Sequence, residues 1–135
     1  MRGLGSERFT ASSYYDESYL PENVGNDDSD SYFATALDDT NQWLRIDFIW
    51  SKRVRGVYIA VEQSDNNTGT FVVYVSAETN IDTVILDDST KCDTQNDVGV
   101  NAAGGAFNCN SIYGRYMYIY CEILRIYISS VYLCM

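Results

Sequence analysis

The sequence of 135 residues lacks histidine, has one proline and carries nine Lys and Arg residues against nineteen Asp and Glu. Without His, Ser-His-Asp and Cys-His nucleophile pairs, His-ligated zinc and imidazole base catalysis near pH 7 are excluded. The formal net charge of −10 argues against nucleic acid and anionic membranes as partners, because both require a positively charged face. Cationic partners are favoured, and any enzyme would depend on carboxylates, Tyr or Lys.

Long apolar runs are also missing. No stretch approaches the roughly 20 apolar residues that a membrane span needs, and the opening MRGLGSERFT lacks the apolar region of a signal peptide. If the protein is secreted, we expect that a leader has been removed. A chain of this length with 46% hydrophobic residues is expected to form one domain, over residues 1–135.

Alternating apolar and polar residues predict short strands. In WLRIDFI, Leu44, Ile46 and Phe48 share one face. VYIAV and FVVYVS follow, and the polar EQSDNNTGT between them predicts a β-hairpin with a long exposed tip. Further strands are predicted from TVILD, RYMYIYC and ILRIYISSVYL. No window keeps a helical apolar stripe, so the sequence predicts an all-β protein, an antiparallel β-sandwich of jelly-roll type.

Tyrosine is abundant, with twelve residues in the chain. In the run YGRYMYIY and the Cys that follows it, side chains alternate between the two faces of a predicted strand. One face carries Tyr116, Tyr118 and Tyr120, and the other carries Met117, Ile119 and Cys121. We expect one row to line the core. An exposed Tyr row would be an interaction surface, and the alternative is that Tyr serves only as a common strand residue.

Three stretches, in this order, carry a family resemblance: TASSYYDESYLPENVGNDDSDSYFAT, the tryptophan-led NQWLRIDF, and CDTQNDVGVNAAGGAFNCNSIYGRYMYIY with its Gly114-Arg115-Tyr116. Together they resemble the discoidin (coagulation-factor type C) and F-type lectin (fucolectin) families of the galactose-binding-domain-like superfamily. The closing VYLCM is similar to the fucolectin C-terminal end. The resemblance implies an eight-stranded jelly roll, a carbohydrate or partner site in loops at one end, a cation beneath those loops and no catalysis.

Fucolectins bind fucose through one His and two Arg, and the resemblance places the Arg pair on the connector 62–70. That connector contains neither residue type, so fucose recognition in the family's manner is not expected. Carboxylates and amides can still pair with sugar hydroxyls. The candidate ligand-binding residues of this connector are Glu62, Gln63, Asp65 and Asn67, of which Asp65 matches the acidic member of the family motif. The alternative is a solvated hairpin tip.

The resemblance also implies a calcium site. Its positions fall on Asn23, Asn26 and Asp28, with Thr35 or its neighbours and the carbonyl of Cys134 closing the site. An Asx-rich loop can supply the six to eight oxygens that Ca²⁺ prefers. Because the family's Asp falls on Asn26 and its Glu on Met135, we expect a weakened site. The alternative is a loop stabilised by its own side chains.

The cysteines divide into two pairs under the same resemblance. Cys92 and Cys109 bracket a Gly/Asn-rich loop as a fucolectin disulfide does, which leaves Cys121 and Cys134 as the second pair. Four thiols in a cytosolic protein are the weaker alternative, because no C-x-x-C spacing is present. Disulfides imply an extracellular location, and a glycosylation sequon at Asn66 agrees with secretion.

We therefore interpret the chain as a secreted, non-enzymatic recognition or adhesion module that binds a glycan or a surface protein through loops 23–30, 62–67 and 93–101. The alternative is a structural subunit of an extracellular filament or coat that self-associates through its Tyr faces and its terminal segments. A carboxylate hydrolase is disfavoured, because the neighbouring acids Asp27-Asp28 and Asp87-Asp88 alternate direction along an extended chain.

Overall fold

The computed structural model describes residues 2–3, 8–25, 32–61, 71–92, 104–121 and 126–134. Antiparallel strands dominate it, and helices within these residues are limited to α1 (Ile81–Val84) and two 3-10 turns, Pro21–Gly25 and Asp88–Thr90. The strands are β1 (Arg2–Gly3), β2 (Arg8–Ala11), β3 (Phe33–Ala34), β4 (Gln42–Val61), β5 (Phe71–Ser76), β6 (Gly104–Cys121) and β7 (Tyr127–Cys134). No helix in these ranges has the length and apolar character to cross a membrane. The predicted all-β antiparallel fold is confirmed.

Two long strands, β4 and β6, pair along most of their length and fold over together to build both layers of a β-sandwich. Their pairing runs from Gln42↔Cys121 to Ala60↔Gly104, with breaks in register after Asp47 and after Val54. The first layer contains β2, the first half of β4, the second half of β6, and β5. The second layer contains β1, β3 and β7 with the other halves of β4 and β6. The predicted β-sandwich is thus confirmed.

The fold-over of this ribbon depends on unusual backbone geometry. Ile49, Asn110 and Ser111 have φ angles of 77°, 53° and 58°, in the left-handed region that disfavours β-branched residues in particular. The carboxylate of Asp47 accepts the Ile49 N–H at 2.8 Å and so stabilises the turn. At Gly114 a Cβ would lie 2.8 Å from the backbone nitrogen of Ser76, so only glycine allows β6 to approach the end of β5 here.

The core lies between the layers and follows the predicted period-two faces. Leu44, Ile46 and Phe48 are buried, as the alternation in WLRIDFI predicted. Met117, Ile119 and Cys121 also face this core, which further includes Val57, Ile59, Phe71, Val73, Val75, Phe107, Ile128, Val131 and Leu133. Burial of this apolar surface is the main stabilising contribution to the fold.

The Tyr row of β6 lies on the outside of the first layer. Tyr118 is fully buried there with Tyr74 and Val84, and Tyr116 and Tyr120 pack around the same cluster. Val84 belongs to α1, which therefore covers this face. The prediction that one row lines the core is confirmed, and the Tyr row is held beneath a helical turn.

Two local predictions are wrong. TVILD is not a strand: Thr83 and Val84 lie in α1, because the Asn80 side chain accepts the Asp82 N–H at 2.9 Å and caps the turn. The hairpin between VYIAV and FVVYVS does not form either. β5 pairs with β6 in the first layer, whereas the second half of β4 lies between β6 and β7 in the second layer. Segment 62–70 thus connects the two layers.

Cysteine pairing matches the prediction in one of the two cases. Cys92 and Cys109 form a disulfide that closes a separation of 17 residues within the core. Cys121 and Cys134 are thiols and form no disulfide, so the prediction of a second bridge between them is wrong. The register explains why: Cys121 lies opposite Gln42 at the start of β4, while Cys134 lies opposite Gly56, beyond the fold-over.

Candidate functional site

Strand ends from both layers meet at one end of the sandwich, which we call the loop end. In the first layer Ala11 lies beside Leu44, and Gln42 lies opposite Cys121. In the second layer the pairs are Ala60 with Gly104 and Val61 with Ile128. The described residues that flank segments 26–31, 62–70 and 122–125 are therefore grouped at this end.

A buried hydrogen-bond network joins the two layers beneath the loop end. The Thr35 hydroxyl donates to Gln42 Oε1 at 2.5 Å, and the Ile126 N–H donates to both Thr35 Oγ1 (3.1 Å) and Gln42 Oε1 (2.9 Å). The Thr35 N–H in turn donates to the Ile126 carbonyl at 3.1 Å. Because these polar groups are buried and satisfied together, they provide a rigid floor for the end of the sandwich.

A turn rich in tyrosine projects from this floor. The Tyr15 N–H donates to the Ala34 carbonyl at 2.8 Å, and the Ala34 N–H donates back to the Tyr19 carbonyl at 3.4 Å. The rings of Tyr15 and Tyr19 meet edge to face, with centroids 5.5 Å apart. Tyr14 and Tyr15 nevertheless expose 50% and 47% of their surface, so this turn presents aromatic rings to solvent.

Asp39 ties the tyrosine turn to the segment between β3 and β4. Its carboxylate accepts hydrogen bonds from the hydroxyls of Ser12 (2.5 Å) and Ser13 (2.6 Å) and from the Asn41 N–H (2.9 Å). The Ser13 oxygen also accepts the Ala36 N–H at 3.0 Å. Burial raises the pKa of Asp39, but the bonds from both serines and from Asn41 outweigh burial and lower that pKa below its ordinary value. The carboxylate is therefore a structural anchor of this surface.

The charged groups of this surface in the described segments are acidic. Asp16, Glu17 and Asp38 are exposed, as is the apolar side chain of Leu37, and the described segments 12–25 and 32–41 contain no Lys or Arg. Tyr rings offer flat apolar faces for the C–H surface of a sugar, and carboxylates accept hydrogen bonds from hydroxyl or ammonium groups. The arrangement suits a polar, uncharged or cationic ligand.

The predicted ligand residues of the connector, Glu62, Gln63, Asp65 and Asn67, lie outside the described residues, as does the sequon at Asn66. Their flanking residues Val61 and Phe71 are both at the loop end. A role in ligand binding therefore stays a prediction for these four side chains.

The predicted calcium ligands are not all brought together. The Asn23 amide donates to the carbonyls of Ser18 (3.0 Å) and Tyr32 (2.8 Å), and Asn23 therefore lies at the loop end, while Asn26 and Asp28 lie outside the described residues. Thr35 lies beside Ile126, but Cys134 is seven residues beyond Tyr127 (134 − 127) along β7. That separation is roughly 23 Å at the rise of a strand, too far for Cys134 to share a cation with Thr35.

No group of three or more His, Cys, Asp or Glu within the described ranges is placed to hold a metal ion. Sequence reasoning missed Tyr14, Tyr15 and the anchor Asp39. The sequence feature that could have indicated an exposed aromatic turn is the run SSYY, which lies in a polar segment shortly before the only proline of the sequence.

The family model of the F5/8 type C domain matches residues 8–123, which extend from β2 through β6. The chain belongs to the F5/8 type C domain family. No curated protein sequence matches it. This F5/8 type C domain is similar to an F-lectin (fucolectin) from striped bass (Morone saxatilis) serum, with a TM-score of 0.78 and 19% identity over 94% of this chain and 44% of that chain.

Two other solved structures of similar fold come from bacteria. One is a CBM32 module from Clostridium perfringens in complex with GalNAc-β-1,3-galactose, with a TM-score of 0.77 and 10% identity over 96% of this chain and 95% of that chain. The other is chitosan-binding module 1 of a chitosanase/glucanase from Paenibacillus sp. IK-5, with a TM-score of 0.76 and 15% identity over 98% and 97%. At these low sequence identities the structural similarity establishes the F5/8 type C fold alone. The ligand has to be inferred from the residues of the site.

Proposed function

We propose that this F5/8 type C domain is an extracellular, non-catalytic carbohydrate-binding module that holds a glycan at its loop end. The observation that carries the proposal is the exposed Tyr14–Tyr15 pair, presented on a turn that Asp39 and the Ala34 backbone hold in place. A preorganised aromatic surface reduces the entropy lost on binding, which matters for a ligand as small as a sugar.

The structural neighbours support a glycan as the class of ligand, since they include a fucolectin, a module in complex with GalNAc-β-1,3-galactose and a chitosan-binding module. The chemistry of the loop end narrows this class. The exposed charged groups of its described segments 12–25 and 32–41 are carboxylates, and these segments contain no Lys or Arg. We therefore expect neutral or amino sugars to bind there and acidic sugars to be repelled.

An extracellular location is part of the proposal. The Cys92–Cys109 disulfide supports it, because structural disulfides persist in oxidising compartments and are rare in the cytosol. The Tyr row of β6 gives little support to the filament alternative. Tyr118 is buried beneath α1, so this row is not an exposed surface available for self-association.

The test measures binding of chitotriose, its N-acetylated form and cellotriose by calorimetry, with Tyr14→Ala and Tyr15→Ala as site variants. We expect at least one of these sugars to bind and each variant to weaken it about tenfold, because loss of a stacked aromatic costs on the order of 1 kcal/mol. Tyr15→Phe keeps the ring and should retain most of the affinity.

The control is Tyr113→Ala, which removes a tyrosine of similar exposure at the opposite end of the sandwich, 60% against 50% for Tyr14. Its affinity for these three sugars, none of which carries a carboxylate, should equal that of the unmodified protein. Equal weakening by Tyr113→Ala and Tyr14→Ala, or unchanged affinity in both loop-end variants, would show that the glycan is not held at the loop end.

A further inference from the structure

The end of the sandwich opposite the loop end, where β4 and β6 fold over, has the reverse charge. We call it the bend end. Four cations lie on β4 and β6 where these strands fold over, namely Lys52, Arg53, Arg55 and Arg115. The described carboxylates nearby are Asp47, which pairs with Arg115, and Glu78 just after β5. In a chain of net charge −10 we therefore expect an anion to prefer the bend end to the acidic described surface of the loop end.

A surface pocket of about 370 Å³ opens at the bend end. It is lined by Arg55, Gly56, Ala106, Phe107, Asn108, Asn110, Ser111 and Cys134, with no carboxylate among them. The Asn108 side-chain oxygen accepts the Asn110 N–H at 3.0 Å, which orients the Asn108 NH₂ group as a remaining donor. One guanidinium and side-chain amides therefore surround a volume in the range of small-molecule sites.

Aromatic and cationic side chains continue from the rim of this pocket. The Arg53 guanidinium lies 5.6 Å from the centre of the Tyr113 ring and donates to the Ser111 carbonyl at 3.1 Å. Lys52 lies 5.7 Å from the Trp50 ring, and Trp50 is 66% exposed. These contacts place aromatic rings next to cationic groups at the surface. A ring can pack against the face of a sugar while a neighbouring cation binds an anionic group of the same ligand.

We propose that the bend-end pocket binds an acidic sugar, with the Arg55 guanidinium paired to the carboxylate of a uronate and the Asn108 and Asn110 amides hydrogen-bonded to its hydroxyls. Arg suits this task because its planar donors match a carboxylate in a bidentate manner. A lone inorganic anion would leave most of the pocket volume and the amides unused. This site is separate from the loop end, so its ligand class does not depend on the glycan proposed there.

The test is an NMR titration of the ¹⁵N-labelled protein with D-galacturonate and with D-galactose, which differ in the carboxylate at C6. Galacturonate should shift the amides of Gly56, Ala106 and Asn108 in the pocket, and galactose should not. Arg55→Gln should weaken galacturonate binding at least about tenfold, because charge-assisted hydrogen bonds are lost. Lys91→Gln removes an exposed cation outside the pocket lining and should leave binding unchanged.

A second readout uses the thiol that lines the pocket. Galacturonate should slow alkylation of Cys134 by iodoacetamide, while Cys121, which is fully buried, should be unreactive throughout. Equal shifts from galactose, equal shifts from sodium sulfate, or binding of phosphatidylserine vesicles without any response to galacturonate would each overturn the proposal. None of these results bears on chitotriose binding at the loop end, so the two proposals fail separately.

Discussion

The carboxylate of Asp47 and the guanidinium of Arg115 form a bidentate ion pair, with Nε–Oδ1 and Nη2–Oδ2 distances of 2.8 and 3.1 Å. Both residues belong to motifs on which the family resemblance rests, the tryptophan-led strand and Gly-Arg-Tyr. Their partnership braces the fold-over of β4 and β6 at the bend end, away from the proposed glycan. These motifs therefore report the architecture of the domain and carry no information on its ligand.

The ion pair gives a prediction on acid stability. The hydrogen bond from Arg115 has the largest effect on the pKa of Asp47 and lowers it; burial raises this pKa to a lesser extent, and the N–H of Ile49 lowers it further. A carboxyl group with a lowered folded pKa stabilises the protein above its unfolded pKa of about 3.9 and loses that contribution as the pH falls through the folded value.

The melting temperature of the unmodified protein should therefore drop more steeply below about pH 4 than that of Asp47→Asn. The difference should be small, because the partly exposed Arg115 side chain lets solvent screen the ion pair. At neutral pH, Asp47→Asn and Arg115→Gln should each lower the melting temperature, and the double variant should lose less than the sum. Strictly additive losses would show that the two side chains act independently.

Reduction of the disulfide should destabilise the protein substantially. A closed loop of 17 residues corresponds to roughly 3 kcal/mol of unfolding free energy in the chain-entropy model. Urea unfolding of Cys92→Ser/Cys109→Ser should show this loss, while Cys134→Ser serves as a control with little effect. Non-reducing peptide mapping that recovers Cys92 and Cys109 as separate alkylated thiols would contradict the pairing.

The helical cover over the Tyr row gives a further prediction. The Tyr118 hydroxyl donates to the Glu78 carbonyl at 2.5 Å, and burial raises its pKa above the ordinary value. Tyr118→Phe leaves that carbonyl without this donor and should cost about 1 kcal/mol of unfolding free energy. Tyr113→Phe, at an exposed ring, should cost nothing measurable, and equal losses in both variants would show that the Glu78 contact is not stabilising.

Sequence patterns predicted the faces of the strands well, because side-chain alternation reflects burial directly, as Leu44 and Ile46 show. They failed where a local hydrogen bond or a distant pairing decides the structure. The Asn80 cap places Thr83 and Val84 of TVILD in a helix, and β5 pairs with residues of β6 that lie at least 40 positions further along the chain (116 − 76). The exposed Tyr14 was missed because its exposure depends on how Asp39 folds the neighbouring segment.

Calcium binding stays a prediction that the structure makes more specific. If Ca²⁺ binds, its ligands are Asn23, Asn26 and Asp28 with nearby carbonyls, and Cys134 takes no part, because it lies at the far end of β7. Chelation should then lower the melting temperature by a few degrees, as linkage requires of a ligand selective for the folded state. Asp28→Asn should reduce this response, because it removes the charge of a predicted ligand. A melting curve unaffected by chelator and by added Ca²⁺ would show an ion-free loop.

The central claim is that a glycan occupies the loop end, and mapping the contact surface of a bound oligosaccharide tests it most directly. In an NMR titration of the ¹⁵N-labelled protein with chitotriose, we predict shifts of the amides of Tyr15, Ala34, Ala36 and Asn41, which lie around the exposed tyrosines and the Asp39 anchor. Saturating binding with these amides unmoved, or no binding of any neutral or amino sugar, would contradict the account.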